Sequence, residues 1–403
     1  MRLLLVHQNF PGQFRDLAPA LCDRGHELKA IGSSQRPSDP RIEVLRYGYA
    51  KPERSGIHGL TGEVDEWIRR GELVAQAAMA LRQRGWAPDV VLAHPGWGEA
   101  MLLRQVFPAS PLLIWPELWL RPEHLGVGPQ QPLSVPQMHY LRVKDWLVDG
   151  AMADAAAAVL PTAYQASSFP ERWQAKIRLI PEGVPSALLQ QPRLASLTIS
   201  ESVTLGPEVP LITFISRNLE PMRGFPEFMR ALPALQRQHP ALQVVVVGGD
   251  EVSYSSAPGD GRSWKQVLFA ELEGQLDHSR LHCFGRLPHE QLIKLYRRSN
   301  LHVYLSQAFV LSWSLLEIMG CGTPVLAVDN PMLRELISPE RSGLLWNPQQ
   351  QPLHQALSAA LNRGPELARL GEAGRELIAS RYSQAHCVDL LEQLCAQLAI
   401  NVF

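Results

Sequence analysis

The sequence predicts an α/β protein made of two doubly wound, Rossmann-like domains, each built on a parallel sheet. Three observations predict this. Apolar runs of strand length alternate with amphipathic helical stretches, first from Leu3 and again from Leu211. Between the two series, residues 186–208 lose periodicity and gain Ser, Thr and Pro, as interdomain linkers do. A chain of 403 residues exceeds what one ordinary core holds. The boundaries read as 1–190, 191–380 and a helical tail, 381–403.

The first series opens with Leu3–Val6, an apolar run of the kind buried on both faces in parallel sheets. It stops at the turn-rich His7-Gln8-Asn9-Phe10-Pro11-Gly12. Phe14, Leu17, Ala18 and Leu21 follow at helical spacing, and Gly25 suits the residue after a helix end. Leu28–Ile31 resumes a strand. The first loop belongs at the C-terminal edge of the sheet, where open α/β sheets bind ligands. It has no GxGxxG pattern and so is not a dinucleotide fingerprint. A helix is expected over 63–84 and strands over 89–93 and 112–115. The Pro- and Gly-rich 121–135 reads as a long loop. A helix over 138–154 and strands over 157–160 and 177–180 complete the series.

The second series has strands over 211–215, 243–247, 281–284, 301–305 and 325–328. Helices over 225–238, 263–276 and 289–298 lie between them. From Pro352 the pattern is helical, broken near Gly364-Pro365 and Tyr382-Ser383.

Charge and composition remove several function classes. Lys and Arg number 38 against 39 Asp and Glu, so no basic surplus points to nucleic acid or an anionic membrane. The 5 cysteines (Cys22, Cys283, Cys321, Cys387, Cys395) are scattered without metal-ligand spacing, which suits a reduced, cytoplasmic protein. The apolar run after Met1 is too short for a signal peptide. No later run is long enough to span a bilayer.

Three stretches carry candidate chemistry. In Phe214–Gly224 a strand ends and Arg217 and Arg223 flank the loop to the next helix. A diphosphate leaving group needs positive charge that strengthens as the bond breaks, and the planar guanidinium binds two phosphate oxygens at once. Two solvated surface arginines explain the spacing equally well. In Phe309–Glu335 the residues Ser312–Ser314 should form the first turn of a helix, with Trp313 between them; its amides and dipole favour phosphate. Glu317, the only carboxylate on that helix, could accept hydrogen bonds from both hydroxyls of a ribose, or could stabilise the helix dipole. In Asp89–Glu99 a strand ends at His94, and Gly96 and Gly98 permit close backbone approach. A lone histidine is more often structural.

Taken together, these residues resemble the retaining glycosyltransferases of family 4, which have the GT-B fold: two Rossmann-like domains facing a central cleft. The resemblance covers nearly the whole chain. It is most specific at Ser314-Leu315-Leu316-Glu317-Ile318-Met319-Gly320-Cys321-Gly322-Thr323-Pro324-Val325, the second half of the family's signature. It implies that Glu317 binds the donor ribose and that Arg217 and Arg223 hold the phosphates, Arg223 standing where a lysine is usual. It implies that Gly285 and Arg286, within Phe284–Pro288, border the base. It places Asn9–Gln13, with Gly12 and Gln13, over the phosphates, and His94 against the donor sugar. Glu335 matches the acid after the last strand. The N-terminal domain would bind acceptor, the C-terminal domain would bind the nucleotide sugar, and the last helix would cross back to the N-terminal domain. One departure stands out. The family's first acid, which bonds the sugar hydroxyls, falls on Phe309, and the adjoining residues become Val310-Leu311-Ser312. The resemblance therefore implies an altered sugar pocket, with Gln307, Ser312 or Ser314 taking over hydroxyl contacts.

The implied reaction moves a hexose from a UDP- or GDP-sugar to a sugar, glycan or lipid-linked acceptor, in surface polysaccharide or other glycan assembly. No cofactor is expected, and no metal, because no Asp-x-Asp is present and two arginines are. A lipid-linked acceptor would bring the chain to a membrane periphery, although the helix over 138–154 carries only Arg142 and Lys144 as basic residues. A tail stripe of Val388, Leu391, Leu394 and Leu398 reads as core packing. Closure of the domains would exclude water. Two rivals remain: a nucleotide-sugar epimerase on the same architecture, and a non-catalytic GT-B module that binds a glycan or partner, for which Phe309 is the best support. Sugar, base, acceptor and oligomeric state are not legible.

Overall fold

The computed structural model describes residues 1–51, 53, 55–127, 130–200 and 203–400. The chain forms two compact units, Met1–Gly183 with the chain from Ser383 onward, and Val184–Tyr382.

Unit 1 is a seven-stranded parallel sheet. Its strands are β1 (Arg2–Val6), β2 (Glu27–Gly32), β3 (Glu43–Arg46), β4 (Val90–Ala93), β5 (Leu112–Ile114), β6 (Ala157–Leu160) and β7 (Ile177–Leu179). Their spatial order is β3-β2-β1-β4-β5-β6-β7. The inner strands β1, β4, β5 and β6 are apolar because both faces are covered. Along β1, Leu4 and Val6 join one core cluster while Leu3 and Leu5 join another, since successive side chains point to opposite faces. The second cluster is completed by the tail helix Gln384–Ile400, which buries Val388, Leu391 and Leu394 against it. Burying each such side chain stabilises the unit by about 2 kcal/mol. Leu398 packs on the same cluster, so the tail stripe is core. Ion pairs of Arg24 with Asp389 (2.6 Å) and Glu392 (2.7 Å) fix the helix along its edge.

Ahead of its main sheet, unit 2 carries a two-stranded antiparallel hairpin, β8 (Leu197–Ser200) and β9 (Val203–Leu205). Its parallel sheet contains β10 (Leu211–Asn218), β11 (Gln243–Gly249), β12 (Leu281–Phe284), β13 (Leu301–Tyr304), β14 (Val325–Val328) and β15 (Leu344–Trp346), in the order β12-β11-β10-β13-β14-β15. One core cluster gathers around Phe214, Phe225, Phe228 and Leu232, with Phe214 stacked on Phe228 at 4.8 Å between ring centroids.

The structure departs from the sequence expectations in five places. Residues 186–208 are not a bare linker: they hold the helix Ser186–Leu189 and the β8–β9 hairpin, and the chain passes between units at Gly183–Val184. The short strands β3 and β15 were not expected; each is an edge strand of three or four residues, too brief for a period-2 signal. The helix expected from Glu63 starts at Gly59, because the His58 side chain caps it by accepting from the Leu60 amide at 3.2 Å. The helix after Ser263 ends at Glu271 rather than at Leu276. The loop at 121–135 contains a turn of 3-10 helix, Pro122–Leu125, and part of it lies outside the described residues.

Candidate active site

In an open parallel sheet, ligands bind beyond the C-terminal ends of the strands where the strand order reverses. In unit 2 the reversal falls between β10 and β13. Arg217 lies at the end of β10 and Arg223 follows it, and Phe309–Ser314 follow β13, so two sequence stretches far apart in the chain meet at that point.

Arg217 sits at the end of β10 and is exposed. Arg223 ends a 3-10 turn, Pro221–Arg223, and points inward. Its Nη1 lies 3.4 Å from Ser306 Oγ, and its Nε is buried with no hydrogen-bond partner. A buried donor left unmade costs stability, which sets Nε apart from the paired Nη1. Gly224 takes φ +74° and packs on Leu305, where a Cβ would collide; no other residue lets the chain turn from Arg223 into the helix Phe225–Gln238.

The expected helix is present as Trp313–Gly320, with Ser312 at its N-cap. Ser312 makes no side-chain cap; its Oγ pairs with Ser314 Oγ at 2.7 Å. Trp313 is exposed. Glu317 lies beyond the first turn, which contains no acid, so the helix-dipole account of it does not hold. Its carboxylate is 7% exposed, and Oε1 is 2.9 Å from His289 Nε2. His289 starts the helix His289–Arg298. Gly285 and Arg286, on the loop before that helix, are exposed; Arg286 Nη2 reaches Glu251 Oε2 at 2.8 Å and Asn218 Oδ1 at 3.2 Å. Gln307 is exposed at the surface, and its amide donates to Met222 O at 3.0 Å. Glu335 is exposed on the helix Pro331–Leu336.

Three residues that sequence reasoning missed complete this locus. Glu220 is 0% exposed. Its Oε2 accepts three consecutive amides, from Ser253 (2.9 Å), Tyr254 (3.0 Å) and Ser255 (2.9 Å). Tyr254 lies with its ring 5.4 Å from the Arg223 guanidinium and 5.0 Å from the Phe309 ring. His289 is the third. Glu220 was within view, between the two arginines, but nothing local shows where its carboxylate goes.

In unit 1 the strand order reverses between β1 and β4, and His7 and His94 follow those strands. His94 is 3% exposed rather than open to solvent. Its Nδ1 accepts the Gly96 amide at 3.1 Å, which leaves Nε2 to carry the proton in the neutral ring, 3.5 Å from Glu117 Oε1. The ring stacks on Trp97 at 4.4 Å and meets His7 at 5.1 Å. His7 accepts the Asn9 amide at 2.9 Å, and burial first, then the neighbouring His94, pushes its imidazole down to about 3. Gly12, at φ +45°, lies on the His7 ring; a Cβ there would come within 2.6 Å of it. Gln13 is buried and its Nε2 lacks a partner. Glu99 is buried beside this cluster, its carboxyl raised by desolvation, with Oε1 accepting from Tyr47 OH at 3.1 Å. The structure thus brings Gly12, Gln13 and His94 together in unit 1. In unit 2 it gathers Arg217, Arg223, Ser312, Ser314 and Glu317 at one sheet edge.

Among the described residues no cluster of three or more His, Cys, Asp or Glu side chains is placed to hold a metal ion, and no helix is long and apolar enough to cross a membrane. All five cysteines are free thiols.

Comparison with known proteins gives consistent matches. Residues 24–188 match the glycosyl transferase family 4 group, and residues 198–377 match glycosyl transferases group 1, together most of the chain. A D-inositol 3-phosphate glycosyltransferase of Segniliparus rotundus is 28% identical over 49% of this chain and 42% of its own length. A phosphatidyl-myo-inositol mannosyltransferase of Propionibacterium freudenreichii is 35% identical over 31% of this chain and 27% of its own. The matched stretches therefore span less than half of these curated relatives. Among solved structures, sucrose-phosphate synthase of Thermosynechococcus elongatus superposes with a TM-score of 0.75 at 19% identity, over 99% of both chains. HepE of Anabaena, in complex with UDP, superposes with a TM-score of 0.67 at 17% identity, over 98% of this chain and 99% of its own.

Proposed function

The chain belongs to the family-4-like glycosyltransferases of GT-B fold, and from that premise we propose that it transfers a hexose from a nucleoside diphosphate sugar to an acceptor hydroxyl, with anomeric configuration retained. One observation carries the reading. At the switch point of the unit 2 sheet, Arg217, the inward-pointing Arg223 with its unpartnered Nε, and the N-terminus of the helix Trp313–Gly320 lie beyond adjacent strands, one turn from the buried Glu317. That is a site for a diphosphate joined to a ribose.

As the bond from the anomeric carbon to the diphosphate oxygen lengthens, negative charge builds on the leaving group. Two guanidiniums and the positive end of a helix stabilise that charge more than they stabilise the ground state. The acceptor oxygen bonds to the anomeric carbon on the same face and gives its proton to the departing phosphate. Glu317 takes the ribose hydroxyls, Gly285 and Arg286 border the base, and Ser312, Trp313 and Ser314 line the phosphate side. In unit 1, His94 positions the sugar, with Gly12 and Gln13 on the phosphate-covering loop. The arginines supply the charge that a divalent ion supplies elsewhere, so the reading is of a metal-independent enzyme without cofactor.

HepE, which shares the fold, is described with UDP and with UDP-glucose, and the curated relatives are named for inositol-based acceptors. These support a UDP- or GDP-sugar donor and a polyhydroxylated or lipid-linked acceptor, in glycan assembly. Five free thiols suit the cytoplasm. Phe309 favours one rival, a non-catalytic binding module.

The test is a panel of UDP- and GDP-sugars, with released diphosphate measured and binding followed by calorimetry. One donor is expected to release diphosphate, and Glu317→Ala to weaken nucleotide binding at least tenfold. No release and no nucleotide binding by the wild-type chain overturn the proposal. Binding without release, across a broad acceptor panel, favours the module.

A further inference from the structure

Loops after three neighbouring strands, β11, β10 and β13, meet at one corner of the unit 2 sheet. The loop after β11 carries Tyr254, the loop after β10 carries Arg223, and the loop after β13 carries Phe309. Tyr254 lies with its ring near both other side chains, 5.4 Å from the guanidinium and 5.0 Å from the Phe309 ring, yet it is 50% exposed.

The backbone beneath Tyr254 is held with unusual force. A carboxylate is costly to bury, and Glu220 is buried completely. It spends one oxygen on three consecutive amides, at Ser253, Tyr254 and Ser255. Charge-assisted bonds of this kind are about twice as strong as neutral ones. Two further bonds join the same pieces: Asn218 Nδ2 donates to Ser253 Oγ at 2.7 Å, and the Met222 amide donates to Ser255 Oγ at 2.9 Å. The loop that presents Tyr254 is therefore locked to the loop that presents Arg223. A merely solvent-facing tyrosine needs no such anchoring. A rigid exposed aromatic ring beside a cation with an unpartnered N–H is a built binding surface.

We propose that Tyr254 and Phe309 form an apolar wall that binds the hexosyl group of the donor by stacking. The sugar class is a pyranose whose ring C–H bonds form an uninterrupted face, as when the hydroxyls are equatorial or absent. The proposal rests on the nucleotide-sugar reading above. A sugar on the second phosphate of a diphosphate held by Arg223 lies within one side chain of both rings. Its C–H bonds carry partial positive charge and the ring faces carry negative charge, so contact is favourable without a carboxylate. Phe309 offers no hydrogen bond, and the wall excludes polar axial substituents by desolvation. Glu220 acts as a positioning residue through Tyr254.

Calorimetry on the full chain with UDP against UDP-glucose, and GDP against GDP-glucose, tests this. For whichever nucleotide binds, Phe309→Ala and Tyr254→Ala are expected to weaken the nucleotide sugar about tenfold. Phe309→Ala should leave the free diphosphate within twofold. Tyr254→Phe, which keeps the ring, should stay within threefold for both. Circular dichroism checks that each variant folds; if Tyr254→Ala does not, Phe309→Ala carries the test. Nucleoside diphosphate bound normally, but sugar affinity unchanged in both alanine variants, overturns the wall and leaves the transferase reading intact. No nucleotide bound by the wild type overturns both.

Discussion

His289 Nε2 lies 2.9 Å from Glu317 Oε1, joining the first residue of one helix to the buried carboxylate of the next across the sheet edge. Glu317 is nearly inaccessible, whereas the His289 side chain is half exposed. The imidazole therefore holds one carboxylate oxygen in place from the solvent side. Replacing His289 by Ala removes a donor from a buried acceptor, at a cost of about 1–3 kcal/mol. We expect a lower Tm and a several-fold weaker nucleoside diphosphate Kd. His289→Gln, which keeps a donor, should recover most of the affinity. Calorimetry and thermal unfolding read both effects.

Arg217 and Arg223 differ in setting, and their variants should differ too. Removing one preorganised group facing a developing charge costs on the order of 100-fold or more in kcat. Arg223→Ala is expected at the larger end, because its inward side chain is already fixed beside Tyr254 and Ser306. Arg223→Lys keeps charge but loses the fork, and should recover only part. Exposed Arg217 should tolerate Lys better. Steady-state kinetics with the active donor decides the order; equal losses for both lysine variants would contradict it.

Glu220 should matter more to the loop than to the fold around it. Glu220→Ala leaves three amides without their shared acceptor, a loss on the order of 2–4 kcal/mol. Hydrogen exchange at Ser253, Tyr254 and Ser255 should accelerate strongly, while the amides of β10 change little. Uniform acceleration across unit 2 would contradict a local clamp.

Each unit should lose stability in acid through one buried histidine. His7 in unit 1 and His302 in unit 2 are both driven to about 3, the first mainly by burial and then by His94, the second by burial alone. An unfolded histidine titrates near 6.5, so below that pH the unfolded chain binds protons that the folded chain does not. Stability is full above about 6.5 and falls toward pH 3, by at most about 1.4 kcal/mol per pH unit for each histidine. His302 bonds Thr213 Oγ1 at 3.0 Å through Nδ1, which Gln can imitate. His302→Gln should flatten the acid slope of unit 2 unfolding, followed by urea titration at pH 7, 6 and 5.

Much of the fold was legible because its signals are local. The helices Phe225–Gln238 and His289–Arg298 and the strands β6 and β14 fall where their periodicity places them. The helix Trp313–Gly320 starts one residue after Ser312, where the sequence reading began its first turn. The misreadings also have local causes. His58 caps a helix without being a usual capping residue, edge strands β3 and β15 are too short to show alternation, and β8 and β9 are strands of only four and three residues.

The sequence by itself determined the two βαβ series, the loops that carry Arg217, Arg223, His94 and Glu317, and the break in pattern at Phe309. The series and loops follow from helix and strand periods and from turn chemistry, which act over a few residues, and the break at Phe309 follows from the resemblance to the family's signature. Only the tertiary structure decided what these residues meet. His289 reaches Glu317, Glu220 reaches Ser253–Ser255, Tyr254 comes between Arg223 and Phe309, and His7 packs on His94. Each pair is far apart in the chain and joined by strand order, β12-β11-β10-β13 in one unit and β1-β4 in the other. Strand order is set by how whole layers bury their apolar faces, and no short window of sequence contains that information.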